Sequence, residues 1–340
     1  MIAKNLPSIL LRELYNYRMT AYQILHNIAN NKNIFKPVIY GIKGAELNDE
    51  EKIFFSKNSC IGFILFARNI VDKSQLKKLT DSLKDLMQGE VLILIDQEGG
   101  RVARLKPPIW NSYPTGKYFA DLYQNNPSKA KQEIFENFVK IAKELVEVGI
   151  NTNCAPVLDI LTAKTHQIIG DRAYGDNPQQ VIELGKQVCD ALLSQNVFPI
   201  IKHIPGHGLG SSDSHLELPI VENSLEYLEN HDFVPFKALN HQKFAMTAHI
   251  LYSAIDAKNC GTTSKKNIDL IRHKIGFKNI LMSDDLSMKA LRGDFKSRAK
   301  NTLDAGCDLI LHCNGDIQEM QEINSVLPNI SENLKIKLTQ

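Results

Sequence analysis

The sequence predicts an α/β protein, a single-domain (β/α)8 TIM barrel, and three observations carry that prediction. Apolar, β-branched runs of about six residues recur along the chain, as the strands of a parallel sheet buried on both faces do. Amphipathic helical repeats lie between most of these runs, and no linker interrupts the alternation. Polar and charged residues gather where several runs end, at the C-terminal side, which is where such a barrel keeps its site. A doubly wound open sheet has the same periodicity, so periodicity by itself leaves both architectures open.

The expected strands are Pro37–Ile42, Gly62–Ala67, Val91–Asp96, Ile150–Leu158, Val197–Ile204, Phe244–Ile250, Asn279–Ser283 and Asp308–Cys313. Between them, Leu76, Leu79, Leu83 and Leu86 repeat at three- and four-residue steps, the spacing of one helix face. The same spacing joins Phe135, Phe138, Val139, Ala142, Leu145 and Val146, and then Val181, Leu184, Val188 and Leu192. Helical spacing over Ile9–Asn30 precedes the first strand and predicts an accessory helix packed on the barrel. The Asn- and Lys-rich piece Asn27–Lys36 is expected to connect it. The domain reading is therefore an extension over residues 1–36 and a barrel over 37–340.

Composition narrows the functional classes. The chain has 340 residues, enough for one α/β barrel. Its net charge of +2 supplies no electrostatic footprint for nucleic acid or an anionic membrane. No apolar stretch approaches the ~20 residues of a membrane span. The opening apolar run is broken at once by Arg12 and Glu13, unlike a secretory segment. The six cysteines form no CxxC pair and read as reduced core residues. A cytoplasmic protein without nucleic-acid or membrane partners is expected, acting as a monomer.

The chemistry is concentrated at run ends. Val91–Ile95 leads into Asp96, with Arg101 and Arg104 following. Val197–Ile201 leads into Lys202 and His203, Phe244–Met246 into His249, and Asn279–Met282 into Ser283, Asp284 and Asp285. Singly, each has a plainer reading. Asp96 suits the turn at Gly99-Gly100, and Ser283 or Asp284 suits the N-cap of a helix beginning near Leu286. His203 and His207 have the spacing of a helical zinc pair, but Pro205, Gly206 and Gly208 forbid a regular helix there. Four coincidences at the same strand end favour an enzyme. The loop Gly206–Pro219 adds Asp213 and His215 two residues apart, and an Asp that orients an imidazole suits a proton shuttle near neutral pH.

The motifs IDQEGGRVARL, GDRAYG, IKHIPGHG followed by SSDSHLELP, MTAHILY and LMSDDLSMKAL resemble, in this order, those of glycoside hydrolase family three. The compact length is similar to its bacterial β-N-acetylglucosaminidase branch. The resemblance runs from about Pro37 to about Gly315. It implies that Asp284 is the nucleophile, Asp285 the weaker candidate, and His215 with Asp213 the acid/base dyad. It further implies that Asp96, Arg104, Arg172, Lys202 and His203 grip the terminal sugar. The implied reaction is retaining removal of terminal N-acetylglucosamine from peptidoglycan-derived N-acetylglucosaminyl-anhydromuramyl peptides, with no metal and no organic cofactor. The first strand, Tyr40-Gly41-Ile42-Lys43-Gly44, departs from the family pattern in lacking the acidic residue often found in that turn. Three other readings stand beside this one. One is a family-three enzyme of β-glucosidase type, which usually carries a second domain. Another is a metal-dependent hydrolase using His203, His207, Asp213, His215 and Asp284. The last is a sugar-binding protein without catalysis.

Overall fold

The computed structural model describes residues 22–31, 35–163, 165–210 and 212–340. Among the described residues ten strands follow one another: β1 (Lys36–Gly41), β2 (Cys60–Leu65), β3 (Leu92–Ile95), β4 (Thr152–Asn153), β5 (Phe198–Ile204), β6 (Ile220–Val221), β7 (Phe244–Thr247), β8 (Leu251–Tyr252), β9 (Ile280–Asp285) and β10 (Leu309–His312). Eight of them close a barrel in the order β1-β2-β3-β4-β5-β7-β9-β10, with β10 pairing back to β1, and every pairing is parallel. The remaining two, β6 and β8, form a small parallel pair outside it. Closure distinguishes the barrel from the open sheet that shares its sequence periodicity.

Helices cover the outside: α1 (22–30), α2 (Asp49–Lys57), α3 (Lys73–Leu86), α4 (Gly116–Asn125), α5 (Pro127–Glu147), α6 (Pro178–Ser194), α7 (Leu225–Asn230), α8 (Val234–Ala238), α9 (Lys265–Leu270), α10 (Phe295–Ala305), α11 (Ile317–Asn324) and α12 (Glu332–Thr339). Their starts are set by side-chain caps. Asn48 and Glu51 make a reciprocal capping box on α2, Asp72 accepts from the Gln75 amide on α3, and Asn126 and Asn177 precede a first-turn proline on α5 and α6. In α3, Leu76, Leu79 and Leu83 are buried as their spacing requires, and α6 buries Val181, Leu184, Val188 and Leu192. In α5 the buried stripe runs through Ile134, Phe138, Ile141, Ala142 and Leu145. Val146, expected on that face, is exposed instead, because it lies one residue round from Leu145 on a 3.6-residue turn.

Two strands are shorter than the apolar runs that suggest them. The run Ile150–Leu158 lies between β3 and β5 for most of its length, but only Thr152–Asn153 pairs as a regular strand. Pro156 has no amide to donate, and the Ala155 amide turns onto the Asn153 carbonyl. The run Phe244–Ile250 leaves the barrel after Thr247, and its next residues build β8 against β6.

The N-terminal mouth of the barrel is closed by α1 and by charge. Leu25 and Ile28 of α1 are fully buried, and Tyr22 sits edge-on to Phe198 at the start of β5. The expected connection Asn27–Lys36 is helical as far as residue 30. The expected helix over Ile9–Asn30 lies, before residue 22, outside the described residues. Asp308 accepts from Arg272 at 2.6 Å and from Lys337 of α12 at 2.7 Å, so this end of the barrel is tied together rather than open. All six cysteines are buried and unpaired. Among the described residues no helix is long and apolar enough to cross a membrane.

Candidate active site

At the opposite mouth, a cleft of about 510 Å3 is lined by residues from the ends of β2, β3, β5, β7, β9 and β10 and the loops that follow them. Ile64, Met246 and Leu311 form an apolar floor inside the barrel. Asp96, Arg104, Arg172, Lys202, His203, His215 and Asp284, expected from the sequence as site residues, all line this cleft. Asp213 stands beside His215 and holds it.

One wall is a network of charges. Lys202, 2% exposed, places its Nζ 2.8 Å from Asp96 Oδ1 and 2.6 Å from Glu98 Oε1. Arg104 donates to the other Asp96 oxygen at 3.0 Å. Arg172 donates to both oxygens of Glu98, each at 2.8 Å, the fork geometry that guanidinium and carboxylate share. The plainer reading of Asp96 as a turn residue fails here, because its carboxylate is engaged by two cations. Burial would raise the Asp96 carboxyl, but Lys202 and Arg104 outweigh it and hold it well below the usual carboxylate range. Burial lowers the Lys202 ammonium, yet Asp96 and Glu98 carry it above its ordinary value. The turn behind this wall depends on glycine. Gly99 has φ 105°, and a Cβ there would stand 2.2 Å from the Pro114 carbonyl oxygen.

Glu98 gives a pH prediction. Burial alone would raise its carboxyl from 4.5, whereas Arg172 and Lys202 hold it at about 2. Folding therefore favours the ionised form. That contribution is complete above pH 4.5 and lost as the pH falls towards 2. Urea unfolding should show stability declining across this window. Glu98→Gln should flatten the decline and also lower stability at pH 7, since buried Arg172 loses its carboxylate and Lys202 keeps only Asp96.

A second carboxylate, Asp159, is fully buried behind the site. It accepts from His203 Nδ1 at 2.7 Å and from the amide of His207 at 2.7 Å. The spacing of His203 and His207 is thus used on one aspartate. Among the described residues, no three His, Cys, Asp or Glu side chains are grouped to hold a metal ion. Burial and the neighbouring His203 push the His207 imidazole down to about 4. Its Nε2 lies 3.3 Å from the Ser214 hydroxyl, between the two residues of the dyad. Gly208 lets this loop approach the chain, for a Cβ there would stand 1.9 Å from the Ile160 carbonyl oxygen. The amides of Lys289 and Ala290 donate to the carbonyls of His215 and Ser214, and so dock the loop on the segment after β9.

Within the loop, His215 Nδ1 is 2.8 Å from Asp213 Oδ1, and the His215 amide donates to the same oxygen at 2.9 Å. A carboxylate can only accept, so Nδ1 carries the proton and Nε2 is the nitrogen left for chemistry. The ring itself is 59% exposed at the mouth. Asp284, at the end of β9, accepts from the Asp285 amide at 2.8 Å through Oδ1, its one hydrogen bond to a carboxylate oxygen among the described residues. Burial would raise its carboxyl, but the facing His203 imidazole and the Asp285 amide hold it below its ordinary value. Asp285 differs. Its Oδ1 accepts the amides of Ser287 and Cys313, both at 3.0 Å, and Oδ2 takes the Ser287 hydroxyl. The N-cap reading of Ser283 and Asp284 is corrected as well. Both belong to β9, and the next helix, α10, is capped by Asp294.

Glu98, Asp159, Thr247 and His249 contribute to this site without having been assigned roles from the sequence. Asp159 carried a signal, since it closes the apolar run Ile150–Leu158 just as Asp96 closes its own.

The family model described as glycosyl hydrolase family 3 N terminal domain matches residues 25–338. The chain belongs to glycosyl hydrolase family 3. Its similarity to family 3 relatives extends over most of its length. A protein of Alkalilimnicola ehrlichii named beta-hexosaminidase is 34% identical over 282 residues, which is 82% of this chain and 80% of that protein. One of Psychromonas ingrahamii, with the same name, is 34% identical over 89% of this chain and 88% of its own. Among solved structures, NagZ from Neisseria gonorrhoeae in complex with N-trifluoroacetyl-D-glucosamine superposes with a TM-score of 0.83 at 32% identity, covering 89% of each chain. The family 3 barrel and the position of the cleft at its C-terminal mouth agree with the expected (β/α)8 architecture.

Proposed function

We propose that this chain is a retaining, exo-acting β-N-acetylglucosaminidase. Its substrates are the N-acetylglucosaminyl-anhydromuramyl peptides derived from peptidoglycan. It works as a cytoplasmic monomer, with one barrel domain over residues 37–340 and an accessory extension over residues 1–36. The observation that carries the reading is the presence in one cleft of a carboxylate, Asp284, that accepts a single hydrogen bond among the described residues, and a mouth-facing imidazole, His215, whose far nitrogen is held by Asp213. The names of the relatives support the N-acetylhexosaminide class.

The steps follow from this geometry. A terminal sugar enters the cleft and its hydroxyls exchange hydrogen bonds with Asp96, Arg104, Lys202, His203 and Arg172. The free Asp284 oxygen attacks the anomeric carbon while the bond to the leaving oxygen breaks. Protonated His215 delivers its Nε2 proton to that oxygen. The result is a glycosyl ester on Asp284 and a neutral imidazole. Water then enters, His215 Nε2 takes its proton, and the oxygen attacks the anomeric carbon from the side the aglycone left. The Asp284 ester bond breaks, and the sugar departs with its β configuration. Throughout, Asp213 keeps the Nδ1 proton in place.

The test is hydrolysis of a chromogenic β-N-acetylglucosaminide beside its β-glucoside and β-galactoside counterparts. Turnover of the N-acetylglucosaminide should exceed the others by orders of magnitude, and proton NMR should detect the β anomer as the first product. Equal turnover of glucoside and N-acetylglucosaminide would move the chain to the β-glucosidase-like reading.

A further inference from the structure

Four hydrogen bonds connect the two sides of the Asp284–Asp285 link. The Asp284 amide lies 3.4 Å from the Thr247 hydroxyl at the end of β7. Thr247 Oγ1 is 2.7 Å from Thr262 Oγ1. Thr262 Oγ1 is 2.7 Å from His249 Nδ1, and His249 Nε2 is 3.0 Å from the Asp285 carbonyl oxygen. Thr247, His249 and Thr262 have no solvent exposure.

For a neutral imidazole, the chemistry of the two ends fixes the proton at every step. A carbonyl oxygen only accepts, so His249 Nε2 carries a proton and donates it. In the neutral ring Nδ1 is then bare and needs a donor, which among the described residues only the Thr262 hydroxyl supplies. Thr262 also stands 3.2 Å from the Ala248 carbonyl. One hydroxyl proton serves one acceptor, and the shorter approach to an otherwise bare buried nitrogen takes it. The Thr262 oxygen is therefore an acceptor for the Thr247 hydroxyl proton, and the Thr247 oxygen accepts the Asp284 amide. The donors run one way, from the Asp284 amide through both hydroxyls and the imidazole to the Asp285 carbonyl.

We infer that Thr247, Thr262 and His249 form a one-way hydrogen-bond circuit that positions Asp284 for attack, with His249 as a neutral positioning residue protonated on Nε2. The inference rests on the reading of Asp284 as the nucleophile. The circuit pins the backbone immediately before Asp284 and immediately after Asp285. The amide between them is the one that holds Asp284 Oδ1 at 2.8 Å. With that amide fixed, the remaining carboxylate oxygen has one direction in which to point. Burial pushes the His249 imidazole below its ordinary value, more than the facing Asp284 carboxylate and Asp285 carbonyl raise it, which agrees with a neutral ring.

The test uses the full chain and two substitutions. Thr262→Val keeps the shape and removes the hydroxyl, while Thr262→Ser keeps the hydroxyl. Thr262→Val should lower kcat by about ten- to hundred-fold with KM changed less than about two-fold, as expected when a reacting group is misplaced while the sugar-binding groups stay intact. Thr262→Ser should restore most of the rate. A 5-fluoro N-acetylglucosaminyl fluoride, which forms the glycosyl ester and releases it slowly, should label Asp284 in Thr262→Val more slowly by the same factor. Labelling at the unchanged rate, or kcat and KM falling together with thermal stability, would overturn the circuit. Nitrogen-15 NMR of the histidine-labelled protein gives a reading that does not depend on activity. His249 should appear as the neutral Nε2–H tautomer, and an Nδ1–H or doubly protonated ring overturns the inference. Label found on a residue other than Asp284 in the unsubstituted protein overturns the nucleophile reading and the positioning claim with it.

Discussion

Asp284→Ala should leave a folded protein whose turnover of a chromogenic β-N-acetylglucosaminide is lower by roughly four to six orders of magnitude, the size of loss seen when a nucleophile is removed. Among the described residues the carboxylate accepts one hydrogen bond, from the next residue's amide, so its loss strands no buried partner there beyond that amide. The melting temperature should therefore change by only a few degrees. Asp285→Ala makes the instructive contrast. Its two oxygens collect the Ser287 amide and hydroxyl and the Cys313 amide. Removing it should loosen the segment between β9 and α10 and lower the melting temperature, with a smaller loss of rate than at Asp284. Steady-state kinetics beside calorimetry on both variants separates the two roles. A reversal of the rate effects would reassign the nucleophile.

His215→Ala should reveal the dyad through its dependence on the leaving group. Substrates with poor leaving groups need protonation to depart, so they should lose roughly 10²–10⁴-fold, the usual contribution of general acid–base assistance. An activated aryl glycoside needs less help in the first step, and its hydrolysis becomes limited by breakdown of the glycosyl ester, which lacks a base. Azide needs no deprotonation. Added azide should therefore restore turnover of the activated substrate and yield a β-glycosyl azide, detectable by mass spectrometry and NMR. Asp213→Ala should give a weaker version of the pattern, because the imidazole remains but its Nδ1 proton is no longer fixed. Equal loss on activated and unactivated substrates would place His215 in binding or loop folding instead.

The barrel was legible because its cause is local and repeated. Runs such as Leu92–Ile95 and Phe198–Ile204 are buried on both faces, and the α6 stripe from Val181 to Leu192 repeats at helical spacing. Length was less legible wherever a backbone group had no ladder partner. Pro156 breaks the fourth run and β7 stops at Thr247, since neither event alters the apolar pattern. The cleft wall was legible at residues whose charge interrupts an apolar run, such as Asp96, Lys202 and Asp284. Glu98 and Asp159 were harder to place because their partners, Arg172 and His203, lie 74 and 44 residues away in sequence. Their roles come from three-dimensional pairing. Thr247 and Thr262 were invisible for a different reason, as a buried hydroxyl looks like any β-branched strand or turn residue until its partners are known.

Asp159 has a consequence for how such a chain can change. Its Oδ1 accepts the amide of His207 and, at 3.3 Å, that of His203, and its Oδ2 accepts the His203 ring. A wall of the cleft and the tether of the loop that carries Asp213 and His215 thus depend on the same two oxygens. Free-energy changes at residues that share a partner do not add. Asp159→Asn and His203→Gln should each cost most in the unsubstituted background and much less once the other has been made, whereas His207→Gln keeps the backbone amide that Asp159 holds. A lineage can therefore cross this region only by steps whose order matters. The sites at 159 and 203 are expected to covary as one heritable unit, although 44 residues separate them.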